Sequence, residues 1–418
     1  MSLAQDRPLA ALAGDRRAFR RLPELAGAPY AFRAALRLIV ANWAIGNLTF
    51  VMPTGREIHV HGSEPGPEGR LIIRDFRFIR RALAAGDVGF AEAYMAGEFD
   101  TPDLPDLLYL FAANWDRTHH ITMGNPLSWT INRIRHALKS NSRRGSKKNI
   151  HAHYDLGNAF YGRWLDPTMT YSSAKFERPG QPLAEAQTAK YAALARSMGL
   201  QSGQSVLEIG CGWGGFAEYA AKEVGAKVTA ITISQEQYAF ARQRMFDQGL
   251  AEQADIRLVD YRDVEGRYDR VASIEMFEAV GERYWPSYFA KINSSLAPGG
   301  RAGLQVITIA DEYFDEYRSR SDFIQQYVFP GGMLASEQHL KKITQKAGFT
   351  WTGIDRFGHD YADTLAQWHA SFDAVWGEIR PLGFDERFRK LWKFYLSYCE
   401  AGFRTERTNV VQLSMTKA

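Results

Sequence analysis

The sequence predicts an α/β protein: a mostly parallel sheet with helices on both faces, joined to a smaller, mostly helical N-terminal domain. Two observations predict the sheet. From about Val206 onward the short β-rich runs VLEIG, KVTAITI, IRLVD, RVASIEM and AGLQVITI recur, with helical stretches between the first four. The first run ends in a glycine-rich loop that leads into a helix beginning near Gly215. A third observation predicts the extra domain. The chain has 418 residues, and domains typically hold about 100–200.

Along the chain, residues 1–140 read as the N-terminal domain. Ala31–Trp43 has the spacing of an amphipathic helix interrupted by Arg33 and Arg37. Glu57–His61 alternates like a strand, and Ser63–Gly69 is a Pro/Gly-rich turn. Phe76–Ala85 and Leu104–Asn114 are helical in pattern. Residues 141–150 are a basic linker, part of the run KSNSRRGSKK, with no apolar periodicity. It suits a solvated connection or a segment that touches lipid headgroups. Residues 151–418 form the second domain, with a helical insertion at about 311–350. Its last block, Thr364–Thr405, is dense in aromatic residues such as Trp368, Phe372, Trp376, Trp392 and Phe394. That block reads as helical core, with the wall of an apolar channel as the alternative.

Composition narrows the function classes. Hydrophobic residues make up 45% and charged residues 23%, an ordinary globular balance. A net charge of +4 does not point to nucleic acid, and no basic stripe with interleaved stacking aromatics is present. Two cysteines, Cys211 and Cys399, make no disulfide framework and no four-ligand metal site. His339, His359 and His369 lack a metal-ligand partner at suitable spacing, so no metal is expected. The first residues lack a secretory pattern, and no run of about 18 apolar residues spans a bilayer. The expectation is a cytoplasmic protein that meets a membrane, if it does, only peripherally at the inner face.

The loop Gly210-Cys211-Gly212-Trp213-Gly214-Gly215 carries the cofactor reading. Glycines there let the backbone approach a ligand closely and take positive φ. Nicotinamide and flavin enzymes use a similar turn, but three details differ. The acid, Glu208, precedes the first glycine. The continuation is not the pyrophosphate fingerprint. The second strand ends in Thr232-Ile233-Ser234, then Gln237, with no ribose-binding carboxylate at its tip. The cofactor expected is S-adenosylmethionine (SAM), which has no phosphate to cradle. Asp260 and Tyr261, after the third strand, suit the adenine amine and its face.

Upstream and downstream segments extend the pattern. His153-Tyr154-Asp155-Leu156-Gly157-Asn158, Trp164-Leu165-Asp166-Pro167 and Met169-Thr170-Tyr171-Ser172-Ser173-Ala174 resemble the N-terminal cap of cyclopropane fatty acid synthases and mycolic acid methyltransferases. Met276-Phe277-Glu278, Phe329-Pro330-Gly331-Gly332 and Phe357-Gly358-His359-Asp360-Tyr361 continue the match, which runs from about residue 75 to about 410. The resemblance implies a class I SAM-dependent methyltransferase (Rossmann-like) sheet acting on an isolated alkene in a lipid acyl chain. It places Tyr171, Ser172, Gly210, Gly212, Thr232, Ile233, Gln237 and Tyr261 around SAM, with His153 and Tyr154 closing the site. The apolar tail block and the basic linker suit an unsaturated phospholipid as substrate and a membrane surface as partner; a homodimer through the N-terminal domain would fit the family.

The same resemblance implies a bound bicarbonate base held by a Cys, a Glu, a His and a Tyr with a backbone contribution. Glu278 and Tyr361 stand at two of those positions. Ser173 stands at the Cys position, Gln305 at the His position, and Ala279 follows the Glu where the family commonly has His. Neither Ser nor Gln supplies a thiol or an imidazole, so these departures weigh against bicarbonate. The expected catalytic set is Glu278, Tyr361, Ser173 and Gln305. The expected product is a methylated alkene, with ring closure to a cyclopropane as the alternative. A non-catalytic lipid-binding protein that retains the fold is the reading from another class. Glu275, three residues before Glu278, is expected on the surface or behind the site.

Overall fold

The structure is a computed structural model that describes residues 19, 22–122 and 156–417. The expected basic linker at 141–150 lies outside the described residues. Backbone contacts divide the chain into two compact units. One gathers Met1–Ile134, Arg320–Gln326 and Phe384–Thr405; the other gathers Arg135–Ser319, Tyr327–Gly383 and Glu406–Ala418.

The first unit adds a four-stranded sheet to the expected helices. Its strands are β1 (Ile45–Val51), β2 (Glu57–His61), β3 (Glu64–Ile73) and β4 (Phe99–Asp100), in the order β2-β1-β3-β4. Strand β3 corrects the turn expected at Ser63–Gly69: this segment runs parallel to β1, with Glu68 opposite Asn47 and Leu71 opposite Phe50. The Pro and Gly residues mark an edge and a close backbone approach instead of a reversal. Strand β4 pairs only with Ile72 and Ile73, so Pro65 and Pro67 face no partner on that side. A Cβ on Gly46 would stand 2.4 Å from the Pro67 carbonyl oxygen. The helix expected at Phe76–Ala85 runs over Arg77–Met95, kinked at Gly86, whose φ is 61°.

The helix Glu386–Arg404 belongs to this unit, although the sequence pattern placed it in the second domain. It buries Trp392, Phe394, Tyr395, Leu396 and Phe403. The Phe394 ring lies 4.9 Å from Phe323 and 6.4 Å from Phe90. An aromatic face of this width needs a partner, and it packs on the helices Leu104–Ala113 and Arg77–Met95.

The second unit is built on β5 (Ser205–Ile209), β6 (Lys227–Thr232), β7 (Ala254–Leu258), β8 (Tyr268–Ile274), β9 (Leu296–Ile309), β10 (Phe349–Arg356) and β11 (Thr408–Lys417). Their order is β10-β11-β9-β8-β5-β6-β7. The five runs read from the sequence are the five parallel strands. Strand β11 lies antiparallel between β9 and β10. Alternate residues of the central strands feed two cores. Leu207, Ile209, Val271 and Leu304 pack on one side, and Val206, Val228, Ala230 and Ala272 on the other. The strand order reverses at β5, so the loop after it opens at the crevice where ligands bind in such sheets.

Candidate active site

Every expected site residue among the described ones lies in the second unit, and most follow the carboxyl ends of its parallel strands. Gly210 and Gly212, after β5, have φ of 84° and 52°. A Cβ on Gly210 would stand 2.7 Å from Met276 Cγ, whereas one on Gly212 would meet nothing within 4 Å. The loop therefore packs tightly on one side and leaves open space at Gly212. Glu208 is buried in β5 beneath it and is pushed up to about 8 by burial, against the pull of Arg244 and Lys190. At the tip of β6, Thr232 Oγ1 donates to Gln237 Oε1 at 2.9 Å, and Ser234 caps the following helix. Ile233 is half-buried between them. Asp260 accepts from Arg262 Nε at 2.8 Å and Nη2 at 2.6 Å, so its carboxylate is engaged within its own turn. Tyr261 stands edge-on to Tyr288, ring centres 5.3 Å apart. His153 and Tyr154 lie outside the described residues.

These groups fit SAM. The open face at Gly212 and the paired Thr232 and Gln237 after the second parallel strand suit its amino-acid and ribose parts, and the Tyr261 ring its adenine. Tyr171 belongs to an aromatic cluster, with ring centres 5.2 Å from Tyr161, 5.2 Å from Trp368 and 5.8 Å from Trp164. Trp368 in turn stands edge-on to Tyr361 at 6.1 Å.

Three of the expected catalytic residues, Ser173, Gln305 and Tyr361, come from separate segments and meet around one side chain outside the expected set, that of Glu275. Glu275 is half-buried, and its carboxylate turns onto the site instead of lying on the surface or behind it. Its Oε1 accepts from the Ser173 backbone N–H at 2.9 Å and from Gln305 Nε2 at 2.8 Å. Its Oε2 accepts from the Tyr361 hydroxyl at 2.8 Å. Ser173 contributes its backbone, because its hydroxyl donates to the Ala174 carbonyl at 2.8 Å. Ser173 is placed by the helix Gly358–Ala374: Ala174 N donates to Thr364 Oγ1 at 3.1 Å and Phe176 N to Asp360 Oδ2 at 2.9 Å. Gln305 is oriented by Gln412 of β11, whose Nε2 donates to Gln305 Oε1 at 3.1 Å. Glu278 accepts from the Ile307 N–H at 2.5 Å, and its Oε2 is buried with no hydrogen-bond partner among the described residues.

Comparison with known proteins places this geometry. The family model for mycolic acid cyclopropane synthetase matches residues 141–413. The chain belongs to that family. It is 36% identical to tuberculostearic acid methyltransferase of Mycobacterium tuberculosis, over 98% of this chain and 97% of the relative. It is 33% identical to cyclopropane-fatty-acyl-phospholipid synthase of Escherichia coli, over 86% of this chain and 90% of the relative. Among solved structures, a mycolic acid cyclopropane synthase complexed with SAH and CTAB matches with a TM-score of 0.61 at 30% identity, covering 65% of this chain and 98% of that one. The protein is a SAM-dependent methyltransferase with a class I α/β fold.

Within this family member, two ionisable groups of the site escaped sequence reasoning. Glu275 is one; its φ of 47° is rare for a residue with a side chain. Lys190 is the other. Its Nζ donates to Ser172 Oγ at 2.7 Å, and burial pulls it down to about 7. A signal existed for Lys190. It shares one face of the helix Leu183–Ser197 with the buried Ala186, Gln187 and Leu194, where a solvated lysine does not belong. For Glu275 none existed, because a strand-end acid faces the site or solvent according to backbone twist. Burial raises Glu275, opposed by Lys190 and its three donors. Burial and the Glu275 charge push Glu278 up to about 8. Near neutrality Glu278 therefore holds its proton, and Glu275 is the carboxylate that the three donors surround.

Proposed function

We propose that this enzyme methylates the double bond of an unsaturated fatty acyl chain, carried by a phospholipid, and releases a methyl-branched unsaturated chain instead of a cyclopropane. The observation that carries the reading is the convergence of Ser173 N–H, Gln305 and Tyr361 on the Glu275 carboxylate. The donors that would hold a bicarbonate base are already engaged by a side chain, so that anion does not fit here. The full-length similarity to a tuberculostearic acid methyltransferase supports the same choice.

Bound SAM supplies an electrophilic methyl group on a sulfonium. The residues must do the rest. An alkene is a weak nucleophile, so it has to be held in line with that methyl in a site that excludes water. Attack leaves a cation on the neighbouring chain carbon. The rings of Tyr171, Trp164 and Trp368 and the negative charge of Glu275 suit that cation. Loss of a proton from the chain then restores a double bond; loss from the new methyl would close the ring.

Incubation with SAM and unsaturated phospholipid, followed by mass spectrometry and proton NMR, tests this. A mass gain of one methylene with olefinic and branch-methyl signals is expected; upfield cyclopropane methylene signals as the main product would overturn it. No helix among the described residues is long and apolar enough to cross a membrane. We place the enzyme peripherally on the inner face of the membrane, held in part by the basic run at 139–148. Sedimentation with anionic vesicles, weakened by salt, is the check; equal binding to neutral vesicles would count against it. A dimer through the first unit belongs to the same reading, and sedimentation equilibrium tests it.

A further inference from the structure

We propose that Glu275 is the resident anion of this active site and the base that removes the chain proton. The assignment rests on the methylation reading above but concerns a different fact, namely which group takes the proton.

The geometry points to a carboxylate that has been built in. Glu275 is the first residue after β8 and has φ of 47°, a left-handed conformation that is disfavoured for a residue with a Cβ. Such strain persists only where its surroundings enforce it, and it clusters at functional sites. The enforcing contacts are at hand. The Glu275 N–H donates to the Gln305 carbonyl at 2.9 Å, while the Gln305 side chain holds the carboxylate. Strand β9 thus grips both ends of one residue.

The oxygens are not equivalent. An ionised carboxylate offers about four acceptor positions. Ser173 N–H and Gln305 Nε2 take the two on Oε1. Oε2 receives Tyr361 and keeps one position for another proton. Glu278 is the weaker candidate, because its carboxyl, pushed up to about 8, keeps its proton near neutrality, and among the described residues its donors are backbone N–H groups, of Ile307 and of Glu278 itself, with no side chain to hold a charge. In the assigned step, the C–H bond on the carbon next to the cation breaks. Its electron pair becomes the new π bond, and the proton goes to Glu275 Oε2. The carboxylic acid then returns that proton to water between turnovers. The cation and the carboxylate are both neutralised, and no other reactant is consumed.

The test is anion dependence with chemical rescue. Wild-type enzyme in carbonate-free buffer should keep its full rate, with no change on adding bicarbonate. Glu275→Gln should lose about 10²-fold or more in kcat, the scale of a lost general base, while calorimetry finds SAM binding unchanged. Glu275→Gly should relieve the backbone strain, leave the three donors around a space the size of a small carboxylate, and regain turnover with sodium formate or bicarbonate in a saturable manner. A wild-type rate that collapses without bicarbonate would overturn the assignment. So would Glu275→Gln at near wild-type kcat, or a folded, SAM-binding Glu275→Gly that no small carboxylate rescues. NMR of the wild-type product judges the methylation reading separately, because a cyclopropane formed without bicarbonate would sink that reading and leave Glu275 as the base.

Discussion

Replacing Glu278 with Gln removes a buried charge site while keeping the acceptor for Ile307 N–H. The structure sets the size of the effect. Burial and the neighbouring Glu275 push Glu278 from an ordinary 4.5 up to about 8. That rise of about 3.5 units corresponds to about 5 kcal/mol between the ionised and neutral forms, at about 1.4 kcal/mol per unit. A raised carboxyl contributes stability that is fully present below pH 4.5 and is lost as pH rises through about 8. Glutamine has no such loss. The variant should therefore gain on the wild type by about 1.4 kcal/mol per pH unit between these limits and level off above pH 8. A constant offset of about 1–3 kcal/mol against it is expected, because the new amide stands where Oε2 has no partner. Urea unfolding followed by tryptophan fluorescence at several pH values between 5.5 and 8.5 measures the difference. Parallel stability curves for the two proteins, with no dependence on pH, would refute the claim that Glu278 is held protonated.

Two further substitutions probe the same unit. Lys190→Met should show the opposite trend, because burial lowers the amine from 10.5 to about 7. The wild type pays for that burial below pH 7 and recovers above it, so the variant's relative stability should be highest below pH 7 and decline towards pH 10; an advantage that grows with pH would contradict this. Gly210→Ala adds a Cβ at 2.7 Å from Met276 Cγ on a residue with φ of 84°. A cost of about 1–2 kcal/mol from the backbone alone is expected, together with a SAM affinity reduced by tenfold or more in calorimetry, and unchanged affinity would show that the loop does not shape the cofactor site.

Much of the fold was legible because its strands carry their own signal. The central parallel strands are buried on both faces, so they read as mostly apolar runs, and the edge strand β7 alternates buried Ala254 and Ile256 with exposed Asp255 and Arg257. The strands β10 and β11 were missed for the opposite reason. Strand β10 is half exposed, and β11 buries Gln412 and Ser414 among its apolar residues, so neither has a clean period. Their strand state comes from pairing with each other and with β9. The Pro and Gly residues of β3 misled because a close approach and a reversal use the same residues. The helix Glu386–Arg404 was recognisable as helix, but not by the unit it joins, since an aromatic face does not name its partner.

By itself the sequence determined the parallel sheet, the glycine loop and the chemistry class, because backbone conformation and motif spacing are local properties. It also supplied Ser173, Gln305, Tyr361 and Glu278 as one set. Only the tertiary structure decided what they surround. Residues 173, 275, 305 and 361 are far apart in the chain, and one positive φ at Glu275 turns a strand-end acid inward onto three donors. Whether an acid at that place meets water or a ring of buried donors depends on how β8, β9 and the helix Gly358–Ala374 pack. That is a balance of burial and hydrogen bonding summed over distant segments, which no local pattern records.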